Sequence, residues 1–532
     1  MLFNSYVFLF AFLPATLVGF WLASRSGRPR LGLWWLNAVS LFFYAWWAPK
    51  YTALLLASVL FNFGIGRLMA RSSRVDLEPG RFLSRKAMLR LGVVGNLAAL
   101  GYFKYANFFI DTVNQVSGAG FQLAPIILPL GISFFTFTQI AYLVDTYQRP
   151  QETSGDFGDY LLFVLFFPHL LAGPIVHHGQ LMPQMRTPAF QRLRAHNLVV
   201  GGAIFLVGMA KKVLGADTFV ALVGPVFAAA TAGHEVTVVE AWTGALAYTL
   251  QLYFDFSGYS DMAIGLARMF GIQFPRNFDS PYKATSIVDF WRRWHITLSS
   301  FLRDYLYIQL GGNRKGPVRR YLNLFLTMLL GGLWHGAGWT FVIWGALHGF
   351  YLVVNHAFAT LRGSLGLGPR ASTRAGKLAA GALTFLAVVV GWVYFRAPTV
   401  SGANRLLAAM AGGADLVLPA KVGSLLGRLG LDQLLLGWGV RFGELPLVSM
   451  PIDMAVLQMA AGFAVVWLLP NSGQMFERYL TERAPDVVAE GVAHGRWYHW
   501  RPTLLWGLGL GVLLTLSLAA VAGKTEFIYF QF

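Results

Sequence analysis

Apolar runs of roughly 17 to 25 residues recur along most of this chain, and each is long enough to cross a hydrocarbon core of ~30 Å as a helix. Backbone N–H and C=O groups find no water in that core, so a spanning run must be helical or belong to a closed β-barrel. Barrel strands would alternate apolar and polar residues, and these runs do not. The chain therefore reads as an all-α polytopic membrane protein. Of its 532 residues 56% are hydrophobic and only 12% charged, where a soluble domain carries about 25%. So dense a set of spans leaves no room for a large soluble domain.

The net charge of +18 would point to nucleic acid in a soluble chain. Here the lysines and arginines cluster between apolar runs, as the positive-inside rule requires, with membrane lipid head groups as the expected contact and nucleic acid not expected. Cysteine is absent, which excludes disulfides, thiolate metal sites and a cysteine nucleophile. The first run, Leu2 to Ala23, has no basic stretch before it and is followed by Arg25, Arg28 and Arg30. It reads as a retained span with its N-terminus outside. The basic run Arg67, Arg71, Arg74, Arg81, Arg85, Lys86, Arg90 then belongs in the cytoplasm, and the link Ala48 to Tyr51 outside.

Spans are expected at Leu2–Ala23, Leu31–Trp47, Tyr51–Met69, Leu91–Val113 and Leu123–Tyr147. Phe163 to Val176 is short and carries Pro168, His169, Gly173 and Pro174, which suits a re-entrant or broken helix. Leu198–Leu214 is interrupted by Lys211 and Lys212, and Val236–Phe270 contains Asp255 and Asp261. Gly271–Arg320 is too polar to cross. Tyr321–Val354, with glycine breaks, crosses once or twice, and Leu378–Phe395, Met454–Leu469 and Leu504–Val521 complete about eleven to thirteen spans. Arg396–Pro451 and Asn471–Arg501 hold amphipathic stretches suited to the membrane surface. No internal repeat is visible, which weakens a transporter reading. Residues 1–356 are expected to form a core and 357–532 a C-terminal membrane extension packed on it within one integral domain.

No G-x-S-x-G elbow, H-E-x-x-H helix, Walker A loop or H-x-x-x-x-D motif occurs, so the chemistry must rest on intramembrane polar groups; no metal site is evident. In Ser286–Tyr305 the apolar residues Ile287, Phe290, Trp291, Trp294, Leu298, Phe301 and Tyr305 recur at helical spacing, and Arg292, His295, Ser299 and Arg303 form the opposite stripe. Asp289 is placed to neutralise Arg292 and Arg293 in part. His295 is either a site group or a solvated histidine on an interfacial helix. His335, between Trp334 and Gly336, lies fifteen residues past Arg320, roughly 22 Å along a helix, and an ionisable group at that depth marks a functional candidate. His348 would point away from it on one continuous helix. A buried base in a water-poor pocket can take the proton of an alcohol that attacks an activated acyl group, with no covalent enzyme intermediate. Trp291, Arg292, Ser299, Trp334, Asp255 and Asp261 are candidate substrate-positioning groups. Arg314, Lys315, Arg319 and Arg320 either contact the phosphates of a cytoplasmic donor or simply set topology.

Four segments carry a resemblance: Gln251–Asp261 (QLYFDFSGYSD), Arg276–Tyr282 (RNFDSPY), Asp289–His295 (DFWRRWH) and Leu333–Gly336 (LWHG). Met1–Ser5, Pro129–Phe135, Lys211–Val213 and Phe527–Phe532 extend it, and Leu406–Val448 matches weakly. Together they resemble the membrane-bound O-acyltransferase (MBOAT) family, in its bacterial AlgI/DltB branch, the long C-terminal part being more similar to its alginate-acetylating members. The resemblance implies a helical ring around a central funnel, catalytic roles for His335 and His295, and no tightly bound cofactor. It further implies acetyl drawn from a cytoplasmic donor, acetyl-CoA, and destined for a secreted exopolysaccharide such as alginate. Transfer would be direct or by relay across the bacterial inner membrane to periplasmic acetyltransferase partners. The alternatives are transfer of acetyl or D-alanine to a cell-wall acceptor on the same fold, and a polysaccharide transporter or export channel.

Overall fold

The computed structural model describes residues 1–72, 84–149, 155–187, 190, 192–366, 373–480 and 496–521. Arg74, Arg81 and the Phe527–Phe532 motif lie outside them. The described chain is predominantly helical, and its strands are Val417–Pro419 and Arg441–Gly443, a short parallel pair. Phe8–Arg25, Pro49–Arg71, Ala195–Ala232, Trp339–Ser364 and Arg374–Arg396 are long and apolar enough to cross a membrane, while Ile452–Leu468 and Leu504–Ala520 are apolar but shorter. The protein is an all-α, multi-pass membrane protein.

Among the described residues the chain forms two compact units, one of 1–209, 259–277 and 472–521, the other of Ala210–Gly258 and Phe278–Asn471. Both draw on residues before and after 356.

In the first unit, Phe3, Phe8, Phe12, Phe43 and Phe167 build an aromatic core, with ring centroids 5.0 Å apart for Phe3–Phe8 and 5.3 Å for Phe12–Phe167. Asn62 and Asn96 exchange amide hydrogen bonds between their helices, which satisfies two buried side chains at once. The short segment expected around Pro168 is broken: Phe157–Leu165 ends at Phe166, and Phe167–Leu170 is a single buried turn. One expected span is corrected. Its helix begins only at Ile132 and runs to Gln148, while residues 118–129 are irregular. Gly118 (φ 68°) ends the preceding helix, Pro125 and Pro129 cannot donate a helical bond, and the Asn114 and Asn107 side chains bond the backbone of Phe121 and Ile126 instead.

The second unit is organised by a hairpin, by the helix after it, and by parts of two helical segments whose remaining residues belong to the first unit. The helical segment from Ala195 to Ala232 is interrupted by a π turn at Lys211–Ala216, and Val238–Met269 is one unbroken 32-residue helix. Arg374–Arg396 packs on the hairpin. The hairpin answers whether Tyr321–Val354 is continuous: Gly316–His335 stops at Gly336–Gly338, and Trp339–Ser364 turns back. Glycines permit the close return, because a Cβ on Gly332 would collide with the Phe341 carbonyl and sit 2.8 Å from Gly345 Cα.

The expected single helix over Ile287–Tyr305 is also corrected. Ser286 caps Ile287–Arg293 by accepting from the Asp289 N–H, the chain breaks at Trp294 and His295, and Ile296–Leu302 starts afresh. His295 has φ 42° and ψ 55°, a left-handed conformation no helix interior permits. The break separates the expected polar stripe: Arg292 and Arg303 are exposed, Ser299 is half-buried and His295 is wholly buried.

Candidate active site

The break at His295 and the end of the hairpin's first helix at His335 bring the two imidazoles together. Their ring centroids lie 6.4 Å apart, His295 has no exposed surface and His335 is 6% exposed. The two ring planes are inclined at 59°. Hydrogen-bonded reach through one water suffices for proton transfer.

Aromatic rings wall the pair. Phe256 meets His295 edge-on at 4.7 Å, and Trp334, Trp344 and Phe395 surround His335 at 4.9, 5.0 and 5.1 Å. Such walls exclude water and lower the local dielectric, which strengthens every polar interaction made inside. His295 belongs to the polar stretch outside the spans, and burial lowers its pKa from 6.5 to about 3, so it is neutral at pH 7.

His348 does not point away from the site, because the helix it shares with His335 in the continuous reading is two helices. Trp344 stands between the two histidines, 5.0 Å from one ring and 4.9 Å from the other. The Trp291 indole N–H donates to His348 Nδ1 at 3.3 Å. Trp291 thus contacts His348, and Trp334 meets His335 edge-on, at 71° between the ring planes.

The remaining candidates divide. Arg292 faces solvent, and the Ser299 hydroxyl donates to the Trp294 carbonyl at 3.4 Å, beside the break. Arg293, not Arg292, takes Asp289, with Nε 2.9 Å from its carboxylate. Asp255 is buried and ion-paired to Lys212 at 2.7 Å, while Asp261 lies in the other unit. Arg314, Lys315 and Arg319 are exposed at the start of the Gly316–His335 helix, and Arg320 contacts His356 Nδ1 at 2.7 Å. Along the helix Arg320 stands roughly 22 Å from His335, Arg319 about 24 Å, and Arg314 and Lys315 lie beyond its first turn, about 30 Å away. Sequence marks Lys212 as a charge interrupting an apolar run and places Phe256 within the Gln251–Asp261 segment, but assigns neither a role in the site. Trp344 and Phe395 carry no sequence signal that distinguishes them from core.

Two buried imidazoles walled by aromatic rings, in a multi-pass helical protein, make a candidate site for the proton transfer that acyl transfer or hydrolysis needs. Comparison with known proteins narrows the class. The model of the MBOAT, membrane-bound O-acyltransferase family, matches residues 151–365. A probable alginate O-acetylase AlgI of Pseudomonas aeruginosa is 40% identical across 100% of both chains. A peptidoglycan O-acetyltransferase of Helicobacter pylori is 43% identical over 77% of this chain and 80% of its own. A teichoic acid D-alanyltransferase of Bacillus subtilis is 27% identical over 43% of this chain and 57% of its own. The chain belongs to the membrane-bound O-acyltransferase family and is an acyltransferase.

Proposed function

We propose that this enzyme moves acetyl from acetyl-CoA on the cytoplasmic side toward hydroxyl groups of a secreted exopolysaccharide, alginate, at the bacterial inner membrane. The observation that carries the reading is the buried His295–His335 pair, 6.4 Å apart behind aromatic walls. In the proposed step His335 takes the hydroxyl proton as the acceptor oxygen attacks the thioester carbonyl. The C–O bond forms, the C–S bond breaks, and the proton passes to the departing thiolate, leaving both imidazoles neutral. His295 orients the acceptor or shares the proton. Arg314, Lys315, Arg319 and Arg320 hold the donor's phosphates, with the extended thiol arm bridging the helix length to His335.

The acceptor is the polymer itself or a periplasmic acetyltransferase partner that receives acetyl by relay. End-to-end similarity to a probable alginate O-acetylase supports the polysaccharide branch. Similarity to a peptidoglycan O-acetyltransferase favours a second reading, transfer of acetyl to the cell wall. Ester analysis of isolated polymers from cells with and without the protein separates them. Loss of acetate from exopolysaccharide, with polymer yield maintained, is the expected result. Loss from peptidoglycan with exopolysaccharide unchanged would move the acceptor to the wall, and loss of the polymer itself would point to export.

A further inference from the structure

We propose that Lys212 is a positioning residue of the histidine site, acting through Asp255 and Phe256; the inference rests on the acyl-transfer reading above. Lys212 sits within the apolar Ala195–Ala232 segment with its side chain 3% exposed. Its ammonium lies 2.6 Å from Asp217 Oδ1 and 2.7 Å from Asp255 Oδ1. Charges at such a place are costly unless paired.

The local backbone is built for this contact. Lys212 and Asp217 are five apart, a spacing that points two side chains in different directions on an α-helix. The π turn Lys211–Ala216, closed by the Asp217 N–H on the Lys212 carbonyl, brings that spacing onto one face. Asp255, on the Val238–Met269 helix, is 1% exposed, and its neighbour in sequence is Phe256. Adjacent side chains on a helix are about 100° apart around the axis. Holding Asp255 therefore fixes the rotation of the helix about its own axis and the direction of Phe256. The Phe256 ring meets the His295 imidazole edge-on at 4.7 Å and 89°, and packs on Phe278 at 5.0 Å. His295 needs such a support, because a non-glycine residue at φ 42° persists only where its surroundings over-determine it. The chain of contact runs from Lys212 to Asp255, along one peptide to Phe256, and onto the ring of His295.

A purely structural pair and a positioning pair differ in what their replacement does. Apolar residues of similar volume often leave stability unchanged or raise it when they replace a buried ion pair. A site ring displaced by about 1 Å loses roughly 100-fold in rate. The test uses the full chain in membranes, with radiolabelled acetyl-CoA as donor and polymer-producing cell membranes supplying acceptor and partners. The Lys212→Met/Asp217→Asn/Asp255→Leu variant is compared with wild type for melting temperature, kcat and donor KM. Wild-type melting with kcat reduced roughly 100-fold and KM unchanged supports positioning. Wild-type kcat in that variant overturns it. Should the triple variant fail to accumulate, Asp255→Glu decides by the same split, since it keeps the charge and displaces the helix by one methylene. Absence of transfer by wild-type protein would count against the acyl-transfer reading, whereas full activity of both wild type and variants would count against Lys212 alone.

Discussion

At the scale of single residues, His295 combines three properties that rarely coincide: full burial, a left-handed backbone and an edge-on aromatic contact. Its burial has a measurable consequence. The folded chain holds this imidazole neutral down to about pH 3, while the unfolded chain protonates it near 6.5, so the unfolded state binds more protons between those values. The stability contributed by the neutral ring is present above pH 6.5 and is lost as pH falls toward 3. His295→Gln is expected to reduce the acid-side decline in stability by about 1.4 kcal/mol per pH unit within that window, measured by thermal melting at stepped pH. An unaltered slope would place the imidazole in contact with water.

At the scale of elements, the hairpin Gly316–His335 and Trp339–Ser364 carries the site, and its closeness depends on the lack of side chains at Gly332 and Gly345. A Cβ on Gly345 would lie 3.0 Å from Gly332 Cα and 3.1 Å from Leu329 Cα, backbone that cannot yield cheaply. Gly345→Val is expected to destabilise by about 1–3 kcal/mol and lower the yield of folded protein, measured by melting in detergent. A second element-scale clamp is Glu240, buried at the start of the Val238–Met269 helix. Its carboxylate accepts from the Thr237 N–H and hydroxyl and, across sequence, from the Leu447 N–H at 3.0 Å. Glu240→Ala leaves these donors unanswered and is expected to cost about 1–3 kcal/mol, with faster proteolysis of the 411–451 connection.

The same elements show what could be read before the structure. Length and apolarity sufficed for Ile452–Leu468 and Leu504–Ala520, and Pro168 for the break near Phe166, because both signals are local. The break at His295 is hidden in the sequence, since helical spacing runs unbroken through Trp291, Trp294 and Leu298, while the support of the left-handed residue comes from packing distant in sequence, such as the Phe256 ring on the imidazole. His335 was legible as an ionisable group deep in an apolar run. Its neighbour Phe395 arrives from sixty residues further on, and its contact with His335 has no sequence signature.

At the scale of the whole molecule, the distribution of lysine and arginine assigns sides to the connections, and the absence of cysteine makes that assignment testable by labelling. Lys315→Cys should react with a membrane-impermeant maleimide only when the cytoplasmic face is opened, and Lys50→Cys, in the connection placed outside, in intact spheroplasts. The reverse pattern would invert the protein and put the Arg314–Arg320 cluster on the wrong side for a cytoplasmic donor. The central claim, that the buried imidazole of His335 drives acyl transfer, is tested most directly by comparing polymer acetate from cells carrying wild-type protein, His335→Ala or no protein, at matched membrane expression. The account predicts that His335→Ala lowers acetylation by about 100-fold or more, to the level of the strain lacking the protein. Wild-type acetate from cells carrying His335→Ala would contradict it.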